Sequence, residues 1–115
     1  MDNIQALEFY VKNTFIIEIK SDGYQFKDGD QIYFTAKPKP DNDKTDADAV
    51  IKKSWTVGTD AYYGDDGYLQ LRLEPTNTDI DFGCYFYDVK LVTESISETI
   101  IAGKLKALPV ATLEH

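Results

Sequence analysis

The run DIDFGCYFYDVKL, residues 79–91, decides how this chain folds. Tyr85, Tyr87, Val89 and Leu91 fall on one side of an extended backbone, with Phe86, Asp88 and Lys90 on the other. That period of two is expected of a strand with one buried face. The run enters its strand through Asp81-Phe82-Gly83-Cys84-Tyr85, a D-x-G-x-Y pattern. Glycine permits the tight backbone geometry of a turn there, and the aspartate can accept backbone N–H bonds. The reading is therefore a turn followed by a core strand rather than an active-site wall.

Working outward, the same period recurs along most of the chain, broken by turn residues at intervals usual for all-β domains. In TFIIEIKSDG, Phe15, Ile17 and Ile19 share a face, and Ser21, Asp22 and Gly23 turn the chain. KDGD, residues 27–30, makes a second turn into QIYFTAKP, where Ile32, Phe34 and Ala36 face one way. Pro38 ends that strand because it has no N–H to donate. A polar loop follows over PKPDNDKTDAD, residues 38–48. In AVIKKSWTVG, Ile51, Lys53, Trp55 and Val57 share a face; Trp55 belongs inside, so Lys53 belongs at a sheet edge with its amine reaching water. YLQLRLEP shows the cleanest alternation, with Leu69, Leu71 and Leu73 inward and Gln70, Arg72 and Glu74 outward. In ETIIAGKLKALP, Gly103 predicts a bulge or bend. IQALEFYVKN reads as another short strand, or as an arm reaching a neighbouring subunit.

About seven strands without βαβ spacing predict two packed antiparallel sheets, an immunoglobulin-like β-sandwich, with a small closed barrel as competitor. The D-x-G-x-Y turn fits this frame. In immunoglobulin-type sandwiches the tyrosine of such a turn bonds backbone just upstream through its hydroxyl, the tyrosine corner. Asp81, Gly83 and Tyr85 take those positions. Antibody domains place a half-cystine two residues after that tyrosine, where this chain has Tyr87, so aromatic bulk stands in place of a disulfide.

Composition narrows the chemistry. The 115 residues suit one domain, read as 1–112, with Leu113-Glu114-His115 the remnant of an expression tag. His115 is the sole histidine, so the native part offers no imidazole for acid–base work or metal ligation. The net charge of −8, or −7 without Glu114, opposes binding to nucleic acid or an anionic membrane surface. No apolar run approaches the roughly 18 residues of a membrane helix. Cys84 is the single cysteine, which excludes an intrachain disulfide; with no base beside it, it reads as a plain strand thiol.

Three candidate sites remain. Asp65 and Asp66 with Asp88 would be a hydrolytic carboxylate pair only if two acids converged at about 5–10 Å; hairpin chemistry and a solvent-facing strand position are the simpler readings. Asp41, Asn42, Asp43, Asp46 and Asp48 could offer oxygen ligands to calcium, but they lack the EF-hand spacing and its closing glutamate. Tyr62, Tyr63 and Tyr68 surround one glycine-rich turn. Exposed together they would form a contact surface for protein or sugar; folded inward they would cap the sandwich. No catalytic, cofactor or metal site is expected.

Several segments in order also resemble a known family. DGDQIYFTAK, AVIKKS, LEPTNT, FGCYFYDVKLV and ETIIAGKLKALPVAT are similar to successive pieces of an immunoglobulin-like domain. That domain stands at the N-terminus of tailed-phage upper-baseplate and tail-fibre-associated proteins, common in prophages of Gram-positive bacteria. The resemblance runs from about Phe15 to Thr112. Asn77 departs from the usual Asp of its turn, and Leu105 from a usual aromatic. It implies a non-catalytic structural protein of the virion tail, made in the bacterial cytoplasm, whose partners are other tail or baseplate proteins and sister copies in a homo-oligomer. A carbohydrate- or host-surface-binding module using Tyr62, Tyr63 and Tyr68 is the alternative.

Overall fold

Alternating side chains become two facing sheets in the computed structural model, which describes residues 3–4, 6–19, 25–38, 49–64 and 67–111. The strands are β1 (Asn3–Ile4), β2 (Leu7–Tyr10), β3 (Phe15–Ile19), β4 (Gln31–Lys37), β5 (Ile51–Thr56), β6 (Tyr62–Tyr63), β7 (Leu69–Leu73), β8 (Gly83–Val92) and β9 (Ser97–Leu108). Seven of them have four residues or more, matching the expected number. No helix occurs among the described residues.

One sheet runs β1-β9-β8-β4-β5, with β2 also on β9; the other runs β3-β7-β6. The order β9-β8-β4-β5 is the G-F-C-C′ layout of an immunoglobulin-type sandwich, and β3-β7-β6 is its B-E-D sheet. The fold is an immunoglobulin-like β-sandwich.

The core lies between the sheets and follows the alternation strand by strand. Ile32, Phe34 and Ala36 of β4, Leu69, Leu71 and Leu73 of β7, and Val89 and Leu91 of β8 have no measurable exposure. Tyr85, Tyr87 and Trp55 are buried with them. Phe34 and Tyr87 stack with ring centroids 5.5 Å apart. Their register is diagonal, since Phe34 faces Val89 and Ala36 faces Tyr87, which is within reach of two aromatic rings. Lys53 is half-buried on β5, an edge strand, as its alternating position requires.

Two details differ from the sequence reading. The N-terminal segment is a strand of this sheet, but it runs parallel to β9, with Asn3 opposite Ile101 and Leu7 opposite Leu105. The larger sheet is therefore mixed. The irregularity of β9 is also not at Gly103, which pairs in register with Tyr87. It lies at Ile100: Val89 faces Ile101 whereas Lys90 faces Thr99. The extra residue lets two consecutive isoleucines, Ile100 and Ile101, both be buried, which strict alternation forbids.

The turn into β8 is tied down from both sides. Tyr85 donates its hydroxyl to the Asp81 carbonyl at 2.7 Å, the geometry of a tyrosine corner. Gly83 has φ +149, within the range that side chains disfavour. In the preceding turn Asn77 Oδ1 accepts the Glu74 N–H at 2.8 Å, and the buried Thr78 donates to the Asn13 carbonyl at 2.7 Å. Replacing Tyr85 by Phe keeps the ring and removes one neutral hydrogen bond. The expected cost is about 1 kcal/mol, read as a lower urea midpoint with unchanged slope.

Candidate interaction surface

The strand order gathers three connections at one end of the sandwich. Gln31 at the start of β4 faces both Thr56 at the end of β5 and Val92 at the end of β8. The β3–β4, β5–β7 and β8–β9 connections therefore emerge side by side. These are the positions of the recognition loops in variable immunoglobulin domains.

Backbone bonds fuse two of these connections into one unit. Gly29 donates to the Val57 carbonyl at 2.9 Å, and Val57 donates back to the Asp30 carbonyl at 2.9 Å. Asp30 Oδ2 accepts the Lys27 N–H at 3.0 Å, and Asp60 Oδ1 accepts the Thr56 N–H at 2.6 Å. Gly58 has φ +88, and a Cβ there would stand 2.7 Å from Asp28 Oδ1. The positive φ favours glycine at position 58, and a side chain there would also push the exposed Asp28 carboxylate aside.

All three expected tyrosines are exposed at this end: Tyr62 by 58%, Tyr63 by 41% and Tyr68 by 39%. They do not share one face. Tyr62 and Tyr63 are successive residues of β6, opposite Gln70 and Leu69, so their side chains leave on opposite sides. Tyr63 accepts the Phe26 N–H at 2.8 Å, pinning β6 to the β3–β4 connection. Tyr62 donates its hydroxyl to the Thr59 carbonyl. The rings are held by backbone bonds yet remain open to contact.

Of the remaining candidates, the described residues include Asp88 and Cys84. Asp88 is half-buried on the outward side of β8, opposite Thr35 and Ala102. Asp65, Asp66 and the calcium candidates Asp41, Asn42, Asp43, Asp46 and Asp48 lie outside the described residues, as does His115. Among the described residues no group of three or more His, Cys, Asp or Glu could hold a metal ion. Cys84 is exposed on β8 opposite Lys106. Burial, reinforced by the Asp81 charge, raises the Tyr85 phenol above its usual range, and burial alone pushes Tyr87 up to about 12. Both remain protonated donors at neutral pH.

The sheet edge expected from Lys53 is β5. Among the described residues β3 pairs only with β7, and β5 only with β4, which leaves an outer backbone edge on each.

No family model and no curated protein matches the chain. Among solved structures it is similar to one described as parallel homodimer structures of the extracellular domains of the voltage-gated sodium channel beta4 subunit. The identity is 10%, covering 94% of this chain and 93% of that chain, with a TM-score of 0.38. So distant a likeness carries nothing about function.

Proposed function

We propose that this chain is a non-catalytic structural component of a phage or prophage tail, serving baseplate or fibre attachment through protein–protein contacts. Its partners are other tail proteins and sister copies, and its place is the assembled virion tail. The resemblance along residues 15–112 supports the setting. The observation that carries the mode of action is the state of the tyrosines. Tyr62 and Tyr63 have their hydroxyls tied to backbone while the residues stay 58% and 41% exposed. Side chains already fixed before contact lose little entropy on docking, so a modest surface can bind usefully. In a multivalent assembly such contacts add through effective concentration.

An antibody raised against this chain, applied to purified particles from the host carrying its gene, is expected to label the tail by electron microscopy. Particles that contain none of the chain by mass spectrometry would remove the proposal. A carbohydrate platform needs rings in a common plane, and Tyr62 and Tyr63 point to opposite sides. Saturable glycan binding that is lost in Tyr62→Ala would reinstate that reading.

A further inference from the structure

The outward face of the larger sheet carries a charge opposite to that of the chain. Cross-strand register places Lys106 beside Cys84, Lys104 and Lys37 on either side of Phe86, Lys52 beside Thr35, and Lys90 beside Tyr33. All five lysines occupy positions that alternate with buried core residues, so all five project outward. Adjacent strands lie about 4.8 Å apart and same-face residues about 6.7 Å apart, so the five amines stand within a few screening lengths of one another. Among the described residues the acids on this face are Glu8 and Asp88. The described residues of this face therefore carry +5 − 2 = +3, opposite in sign to the net −8 of the chain. Among the described residues at the loop-bearing end, Asp28, Asp60 and Glu94 are exposed against one exposed lysine, Lys27.

We propose that this lysine-bearing face is a docking surface for the acidic loop end of a second copy of the same chain. Face-to-face pairing of two such sheets would set lysines against lysines, and like charges disfavour it. Face-to-end contact matches the signs. It joins two different patches, so the contact is heterologous and each copy keeps one free patch for the next. Half-buried Phe86, between Lys104 and Lys37, gives the face an apolar centre within its charged surround. An acidic chain would repel a nucleic-acid backbone around this face, which favours protein over nucleic acid as the occupant. The inference deepens the assembly role proposed above and rests on it for its biological setting.

Sedimentation velocity up to about 1 mM, the effective concentration neighbours share in an assembly, tests it. At about 0.01 M salt the weight-average mass is expected to at least double, and to return to that of the monomer near about 1 M, where screening shortens from about 30 Å to about 3 Å. Lys104→Glu with Lys106→Glu is expected to weaken association at least about tenfold, as is Asp28→Lys with Glu94→Lys. Mixing the two double variants is expected to restore it. Alkylation of Cys84 should slow as the associated fraction rises. A monomer under all conditions, association indifferent to salt and to the lysine variant, or unchanged Cys84 reactivity on association would each overturn the inference. So would lysine-dependent binding of a labelled oligothymidine without self-association, which would make the face a nucleic-acid site. Antibody-labelled tails with a monomeric chain would leave the assembly role standing and remove only this interface; self-association without the chain in particles would do the reverse.

Discussion

Phe34→Ala is expected to lower folding stability by about 3–5 kcal/mol, the range of the costliest core truncations. Phe34 is fully buried at the centre of β4, flanked by β5 and β8, and it stacks on Tyr87 at 5.5 Å. Truncation forfeits the transfer of the ring, leaves a cavity between sheets that β pairing keeps from closing, and removes an aromatic contact. For a domain of this size the thermal midpoint should fall by about 12–20 °C. Tyr33→Ala, one residue away on the exposed face, should change stability by no more than about 0.5 kcal/mol. Near-ultraviolet circular dichroism through a thermal melt checks both. Equal shifts in the two variants would mean that β4 does not present alternate faces to core and solvent, and the two-sheet arrangement would fail with it.

That contrast also marks what could be read from residue order. Burial of Leu69, Leu71 and Leu73 follows from period two alone, because the pleat sends alternate side chains to opposite faces. The turn at Asp81, Gly83 and Tyr85 was legible for a similar reason: its bond spans four residues and needs no distant partner. The parallel seat of β2 on β9 was not legible, because Leu7 and Leu105 are far apart in sequence and nothing local records their pairing. Gly103 misled because a missing side chain reads like a bulge, whereas the register slips at Ile100 to bury two adjacent isoleucines. The tyrosines show the opposite failure. Tyr62 and Tyr63 are neighbours in sequence, and on a strand neighbours diverge; the period that locates the core also denies them a shared face. Outward positions for Lys104 and Lys106 were open to the same reasoning. Their gathering with Lys37, Lys52 and Lys90 required the cross-strand register.

Trp55→Ala is expected to cost about 3–5 kcal/mol, and Trp55→Phe about 1–2 kcal/mol; the difference separates ring volume from a single hydrogen bond. Trp55 is 2% exposed on edge strand β5, opposite Ile32. Its Nε1 donates to the Arg72 carbonyl at 3.1 Å. Arg72 belongs to β7, the central strand of the other sheet, so this bond crosses the sandwich and fastens a strand that, among the described residues, backbone pairing holds from one side only. Phe fills most of the volume but cannot donate, and the edge should then open more often than the centre. Amide exchange is the direct measurement: in Trp55→Phe, β5 amides should exchange faster while those of β8 change only with global stability. Because Trp55 is the sole tryptophan, both variants must be followed by circular dichroism rather than fluorescence. Uniform acceleration across β5 and β8 would show that the indole stabilises by bulk alone and that its bond to Arg72 does not hold the edge. Selective acceleration at β5 would identify that bond as the clasp that keeps the edge beside the loop-bearing end closed.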